Sequence, residues 1–210
     1  SDIWVDLPPK ARIQYDSMEK EMWAEIQGQE IEAVNGGTKA DKLLQFANGA
    51  AYPEKNNPDN YLVVHNEKIS ALEDVLEEAA GSPVFCLYKF RCDADRIMKK
   101  FKGTVNLTDV KDVNKAIDEW NTGKIKLMIA HPKSCGYGID GLQHGGSTVV
   151  WFGLPYPLDD YEQANWRINR NGQTDVVKII RILTRDTWDL VPRETLDRKD
   201  ACQDGLMRAI

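Results

Sequence analysis

The residues best equipped for chemistry are Gln163, Arg167 and Arg170. Spaced i, i+4 and i+7 in a helix predicted over 158–170, they fall within roughly 60° of one another on its surface. Leu158, Tyr161, Ala164 and Ile168 group on the other side, so one side packs and one points three donors outward. Two guanidinium groups side by side make a clamp for a phosphate, because planar forked donors bind anionic oxygens bidentately. The alternative is a solvated face whose arginines complement the negative helix end. Asp159 and Asp160 suit the helix start, and Gly172 suits its stop.

A second candidate is the run 131–146, His-Pro-Lys-Ser-Cys-Gly-Tyr-Gly-Ile-Asp-Gly-Leu-Gln-His-Gly-Gly. Gly136, Gly138, Gly141, Gly145 and Gly146 let backbone N–H groups approach a ligand, Ser134 offers a hydroxyl and Lys133 a charge. Such a loop can hold phosphate oxygens, and it can equally be a set of turns. His131 and Cys135 are four apart, but Pro132 breaks any helix there and no third orienting group stands by. His65 and His144 read as capping or surface residues, and Asn106-Leu107-Thr108 is a glycosylation sequon only in secreted proteins. The phosphate-cradling pattern G-x-x-x-x-G-K-[ST] is absent: Gly123-Lys124 is followed by Ile125. Asp118-Glu119 looks like an acidic metal-binding pair, yet Val113, Ala116, Ile117 and Trp120 have helical spacing around it.

The positioning elements alternate. A helix is predicted over 68–80, stopped by Gly81-Ser82-Pro83, then a short apolar strand over 84–88. A helix over 94–101, a strand over 104–107, a helix over 110–120 and strands over 126–130 and 148–154 follow, then the helix over 158–170 and a strand over 176–183. Strands separated by helices of this length predict an α/β fold, a parallel sheet covered by helices on both faces. Ligands of such sheets bind beyond the carboxyl ends of the strands, which selects the segments after Ala130 and Leu154. Residues 1–60 read as a helical arm or linker, with a helix over 9–31 and an irregular connection over 35–61; residues 61–210 form the main lobe.

With 210 residues, 42% hydrophobic, the chain can bury a core. No apolar run reaches the roughly 18 residues of a membrane span, and no secretion signal is visible, so a soluble cytoplasmic protein is expected. Net charge is −6, and the first eighty residues carry 16 acidic against 7 basic groups. Phosphate neutralisation drives nucleic-acid binding, so any such contact should be local or shared with another domain. The four cysteines lack metal-ligand spacing, which predicts free thiols and no metal site. The chain opens on Ser1 rather than Met, so it is expected to be a piece of a longer polypeptide.

Taken together, Ser134-x-Gly-x-Gly-Ile-Asp140, Leu142-Gln143, the strand Val149-Val150-Trp151-Phe152 and Gln163-x-x-x-Arg-x-x-Arg-x-Gly-Gln173 resemble motifs V and VI of the Swi/Snf branch of superfamily-two helicases. The spelling is most similar to phage and bacterial members, and Val84 to Phe101 resembles motif IV. The resemblance implies the C-terminal of two RecA-like lobes, with ATP and Mg²⁺ held mainly by the other. It implies Arg170 as arginine finger, Arg167 beside it, Gln163 organising the cleft, and Gly138 and Asp140 on the nucleotide side. It implies Ser134, Lys133, Lys89 and Arg91 near a DNA backbone, with duplex DNA and the N-terminal lobe as partners, in the cytoplasm of a bacterial host. Asp140 stands where many members carry Asn, and Gly141 is an added residue. A lobe of this kind is expected to be inactive as an ATPase alone. Two other readings stay open: a non-enzymatic DNA- or protein-binding adaptor, and a free-standing enzyme acting on a small phosphorylated substrate.

Overall fold

The computed structural model describes residues 1–27, 33–52, 60–135 and 139–208; the side chains at 23–27, 33–38, 135 and 200–208 are outside that description. A strand, β1 (Asp2–Val5), precedes helices α1 (Pro9–Gln27) and α2 (Ala33–Asn48) and a two-residue ladder of β2 (Ala50–Ala51) with β3 (Leu62–Val63). Strict alternation follows: α3 (Glu67–Glu78), β4 (Val84–Leu87), α4 (Arg91–Lys100), β5 (Val105–Asn106), α5 (Val113–Asn121) and β6 (Leu127–Ala130). Then come β7 (Thr148–Trp151), α6 (Leu158–Trp166), β8 (Lys178–Thr184) and α7 (Leu190–Arg208).

Six strands form one parallel sheet in the order β1-β8-β7-β4-β6-β5. Such a sheet needs cover on both faces, and every residue of β4 and β6 is buried. Alternate residues feed two cores. Phe85, Leu87, Met128 and Ala130 meet Trp120, Ile168 and Leu196 on one side, while Val84, Cys86, Leu127 and Ile129 meet Leu72, Val75 and Ile97 on the other. The α/β architecture expected from the alternation is the one observed. Asp118 and Glu119 lie on α5, as their helical context required.

The start of the chain differs from the expected helical arm. Asp2–Val5 is an edge strand of the sheet, paired in parallel with β8 so that Trp4 lies beside Leu183. The three apolar residues Ile3-Trp4-Val5, half-buried and without alternation, are too short a run to announce a strand. Charge fastens it: Asp2 accepts from Nε of Arg181 at 2.6 Å and Nε of Arg193 at 3.0 Å. Leu7 ahead of α1, Ala11 and Tyr15 of α1, and Leu43 and Phe46 of α2 build a third core, against which Trp188 packs. α1 is described to Gln27, and the remainder of the helix predicted to Ile31 lies outside the described residues.

A buried polar cluster locks this N-terminal layer to the sheet. Lys68 is 1% exposed; its Nζ lies 2.6 Å from Asp189 Oδ2 and donates to Asn48 Oδ1 at 2.7 Å and to the Phe152 carbonyl at 3.1 Å. Asn48 in turn donates to Asp93 at 2.9 Å, and Arg96 donates to the carbonyls of Asn48 and His65 at 2.7 Å each. Gly49, at φ +101°, turns the chain here, and a Cβ on it would sit 2.3 Å from the His65 carbonyl. His65 is buried rather than on the surface: its Nδ1 accepts from the Glu67 amide, capping α3, and its Nε2 bonds the Phe46 carbonyl.

Two outcomes follow. Removing the buried ammonium by Lys68→Met strands the Asp189 carboxylate and should lower unfolding free energy by about 3–5 kcal/mol, read by urea titration. Burial lowers the His65 pKa to about 4 from an unfolded value of 6.5. The folded state therefore disfavours the imidazolium, and this group's contribution to stability is complete above pH 6.5 and is lost as pH falls toward 4. Imidazole carbon shifts followed against pH should show His65 neutral at pH values where an exposed histidine is charged.

Candidate functional site

The carboxyl edge of the sheet collects the chemistry-bearing residues from three loops and one helix end. α6 is seated by Ala164, Asn165 and Ile168, all buried. Trp151 on β7 donates its indole N–H to Asn165 Oδ1 at 3.0 Å and stacks on Tyr161 at 4.8 Å. The helix predicted to reach Arg170 ends at Trp166. Arg167 caps it in helical geometry, and Arg170 lies in the turn beyond, its amide donating to the Ile168 carbonyl at 3.2 Å. The sequence Asn169-Arg-Asn-Gly172 explains the early stop, since Asn and Gly favour turns over helix interiors. Gln163, Arg167 and Arg170 nonetheless line one open depression of about 590 Å³, together with Trp166, Asn169 and Asn171.

The loop after β6 reaches into this cluster. Arg167 donates to the Ile139 carbonyl at 2.8 Å, and Arg170 donates to Asp140 Oδ1 at 2.5 Å, with Arg167 Nη1 3.7 Å from the same oxygen. The Asp140 side chain is 80% exposed and that of Arg170 is 40% exposed, so their pair faces solvent, whereas the Arg167 side chain is 18% exposed and reaches the same carboxylate from a half-buried position. A carboxylate oxygen thus sits where two guanidinium groups converge, the place they would offer a phosphate oxygen. An exposed pair of this type is worth about 0–1 kcal/mol, so exchanging it for a more highly charged anion costs little. Gly138, also expected on this side, lies outside the described residues.

The glycines at the end of the loop have another role than ligand approach. A Cβ on Gly145 would lie 2.3 Å from the Trp120 indole, and one on Gly146 would lie 2.5 Å from the Pro83 carbonyl. The loop is bound down over Trp120, whose indole donates to the Leu142 carbonyl at 2.8 Å. Gln173 clamps it from the other side, donating to the carbonyls of Gln143 and Gly146 at 2.9 and 3.0 Å.

A second hollow, of about 400 Å³, opens at the carboxyl ends of β4, β6 and β7, lined by Lys89, Phe90, His131, Lys133, Tyr156 and Asp160 among others. The strand order reverses around β4 here, the place where such sheets take ligands. Lys133 is exposed on its rim, and Arg91 is exposed at the start of α4. Ser134 donates to the His131 carbonyl at 2.6 Å and shares a hydrogen bond with the Thr108 hydroxyl at 2.9 Å. Lys89 is placed differently from a free surface cation. Its side chain is 15% exposed, its Nζ is 3.5 Å from Asp41 and 4.2 Å from the centre of the Tyr156 ring, and burial lowers its pKa. Thr108, Asp41 and Tyr156 escaped the sequence reading. Thr108 showed only as part of a sequon, and Asp41 and Tyr156 carried no local signal of meeting Lys89. His131 packs edge-on against Tyr88, 5.8 Å between ring centres, and the Cys135 side chain is outside the described residues.

Among the described residues, no group of three or more His, Cys, Asp or Glu side chains could hold a metal ion, and no helix is long and apolar enough to cross a membrane.

Comparison with solved structures defines the class of fold: a RecA-like lobe of the kind found in Swi2/Snf2 ATPases. The Sulfolobus solfataricus SWI2/SNF2 ATPase core, solved in complex with dsDNA, superposes with a TM-score of 0.63 at 18% identity, over 88% of this chain and 40% of that one. The C-terminal part of the Fun30 ATPase domain superposes with a TM-score of 0.54 at 23% identity, over 62% of this chain and 45% of that one. In sequence, the chain is 40% identical over 214 residues to protein p41 of Acyrthosiphon pisum secondary endosymbiont phage 1. That alignment takes in 99% of this chain and 45% of the relative, so the chain spans about half the relative's length. No family model matches the chain.

Two substitutions test this geometry. Asp140→Asn removes the carboxylate that competes for the guanidinium pair, and should raise affinity for inorganic tripolyphosphate by up to about fivefold, measured by calorimetry. Gly145→Ala forces a methyl group into Trp120 and should cost about 1–3 kcal/mol of stability in thermal unfolding.

Proposed function

We propose that this chain is the second motor lobe of a Swi/Snf-type DNA-dependent ATPase and translocase from a phage or bacterium, working in the cytoplasm of a bacterial host. The observation that carries the reading is the convergence of Arg167, at the cap of α6, and Arg170, in the turn beyond, on one exposed anionic oxygen at the carboxyl edge of a RecA-like sheet. Guanidinium groups so placed suit the phosphates of an ATP molecule held mainly by a first lobe, which would also supply the Mg²⁺ ligands and the phosphate-cradling loop.

In that enzyme, closure of the two lobes brings Arg170 to the γ-phosphate as an arginine finger, with Arg167 beside it and Gln163 bordering the cleft. ATP supplies the phosphoryl group; the arginines supply positive charge where negative charge builds up in the transition state, a contribution of about 10³–10⁵ in rate. Asp140 hands its guanidinium partners to the nucleotide. Ser134, Lys133 and Arg91, at the neighbouring strand ends, contact one strand of duplex DNA through its phosphates. The lobe alone does not hydrolyse ATP. The likeness to a core solved with dsDNA and the relationship to a phage protein support this assignment.

The test is DNA-stimulated ATP hydrolysis by this lobe combined with a first lobe. Arg170→Ala should abolish stimulated turnover by about 10³-fold or more while DNA binding persists; turnover at the unsubstituted rate would remove the finger assignment.

A further inference from the structure

Trp166 is the last residue of α6 and is 58% exposed, the one aromatic side chain among the large hydrophobic residues described as exposed. The other tryptophans with described side chains are engaged. Trp120 and Trp151 are fully buried, Trp188 donates to Glu19 at 3.1 Å, and Trp4 lies under the guanidinium groups of Arg185 and Arg193. The Trp166 indole forms neither a hydrogen bond nor a ring contact within the described residues. An indole left in water at such exposure is a large unspent apolar face, since an aromatic side chain can bury about 150–250 Å².

Its surroundings indicate what would cover it. Trp166 lines the same depression of about 590 Å³ as Gln163, Arg167, Asn169, Arg170 and Asn171. The wall therefore offers guanidinium forks, side-chain amides that both donate and accept, and one flat π-face. Those three chemistries match the three parts of a nucleotide: anionic phosphates, a hydroxylated sugar and a planar base. Trp166, Arg167 and Arg170 line that one depression, so a base on the indole would have its own phosphates within the same hollow as the guanidinium groups.

We propose that Trp166 is a stacking platform for the base of the nucleotide whose phosphates Arg167 and Arg170 receive. This rests on the reading of the arginine pair given above and adds to it a base-contacting residue. Stacking uses the π-face that every base presents, so the platform favours nucleotides over bare polyphosphate without choosing among bases.

The test titrates the 210-residue chain with ATP and, separately, with inorganic tripolyphosphate, following the indole N–H signals in nitrogen-15 NMR spectra, with Trp166 assigned through Trp166→Phe. ATP should move the Trp166 signal and tripolyphosphate should leave it in place. Trp166→Ala, at an exposed site that leaves the core intact, should weaken ATP binding about tenfold and tripolyphosphate binding not at all. A Trp166 signal that stays fixed up to millimolar ATP, or equal ATP affinity with and without the indole, overturns the proposal. Arg170→Ala separates the two readings: unchanged tripolyphosphate affinity in that variant would defeat the arginine assignment, whereas its loss with an unmoved Trp166 signal would defeat only the stacking platform.

Discussion

The arrangement of the carboxyl edge depends on one buried charge. Lys68 brings an ammonium group into an interior with almost no water, and four elements must meet there to satisfy it: Asn48 from the end of α2, the Phe152 carbonyl after β7, Asp189 ahead of α7, and α3 itself. Desolvating an ammonium and a carboxylate is costly, so the pair fixes geometry more than it adds stability. Neighbouring parts slide only by leaving a charge unpaired. The segment after β7, which runs on into α6, is thereby held relative to α2 and α7, and so is the wall on which Lys89, Tyr156 and Asp41 meet.

On this fixed edge the charged groups fall into two kinds. Lys89 has been drawn partly out of water, with aromatic rings and Asp41 around it, and its chemistry is that of a positioned, half-buried cation. Arg170 remains near solvent and, with the half-buried Arg167 beside it, meets an exposed carboxylate that binds weakly. The first kind is suited to shaping a cavity, the second to exchanging partners. In the proposed enzyme, where the occupant would be released every cycle, the second kind serves better, because little stabilisation is forfeited when Asp140 is displaced.

The fold was largely legible in the chain, and particular elements show why. Val84 to Leu87 and Leu127 to Ala130 are unbroken apolar runs because both faces of a central parallel strand are covered, and that burial leaves its mark residue by residue. The edge strand at Asp2–Val5 left a fainter mark: Ile3, Trp4 and Val5 pack only partly against the two cores, and backbone pairing with β8 and the clamp of Arg181 and Arg193 on Asp2 add to that partial cover. Gln163, Arg167 and Arg170, grouped by helical spacing, share one depression although the helix closes at Trp166, because the turn beyond keeps them together. Gly145 and Gly146 were visible as glycines, but their reason, contact with the Trp120 indole and the Pro83 carbonyl, was not.

By itself, then, the amino-acid order determined the alternation of strands and helices, the parallel sheet, and the face that carries two arginines and a glutamine. Each of these follows from residues close together in the chain, where a period of two or of 3.6 decides which side is apolar. Tertiary structure alone decided which charges are buried, which are paired and which face water. The meeting of Asp140 with Arg170, of Lys89 with Asp41 and of Lys68 with Asp189 spans 30 to more than 100 residues of chain. Such pairings depend on desolvation and distance, which exist only once the sheet has brought its loops to one edge.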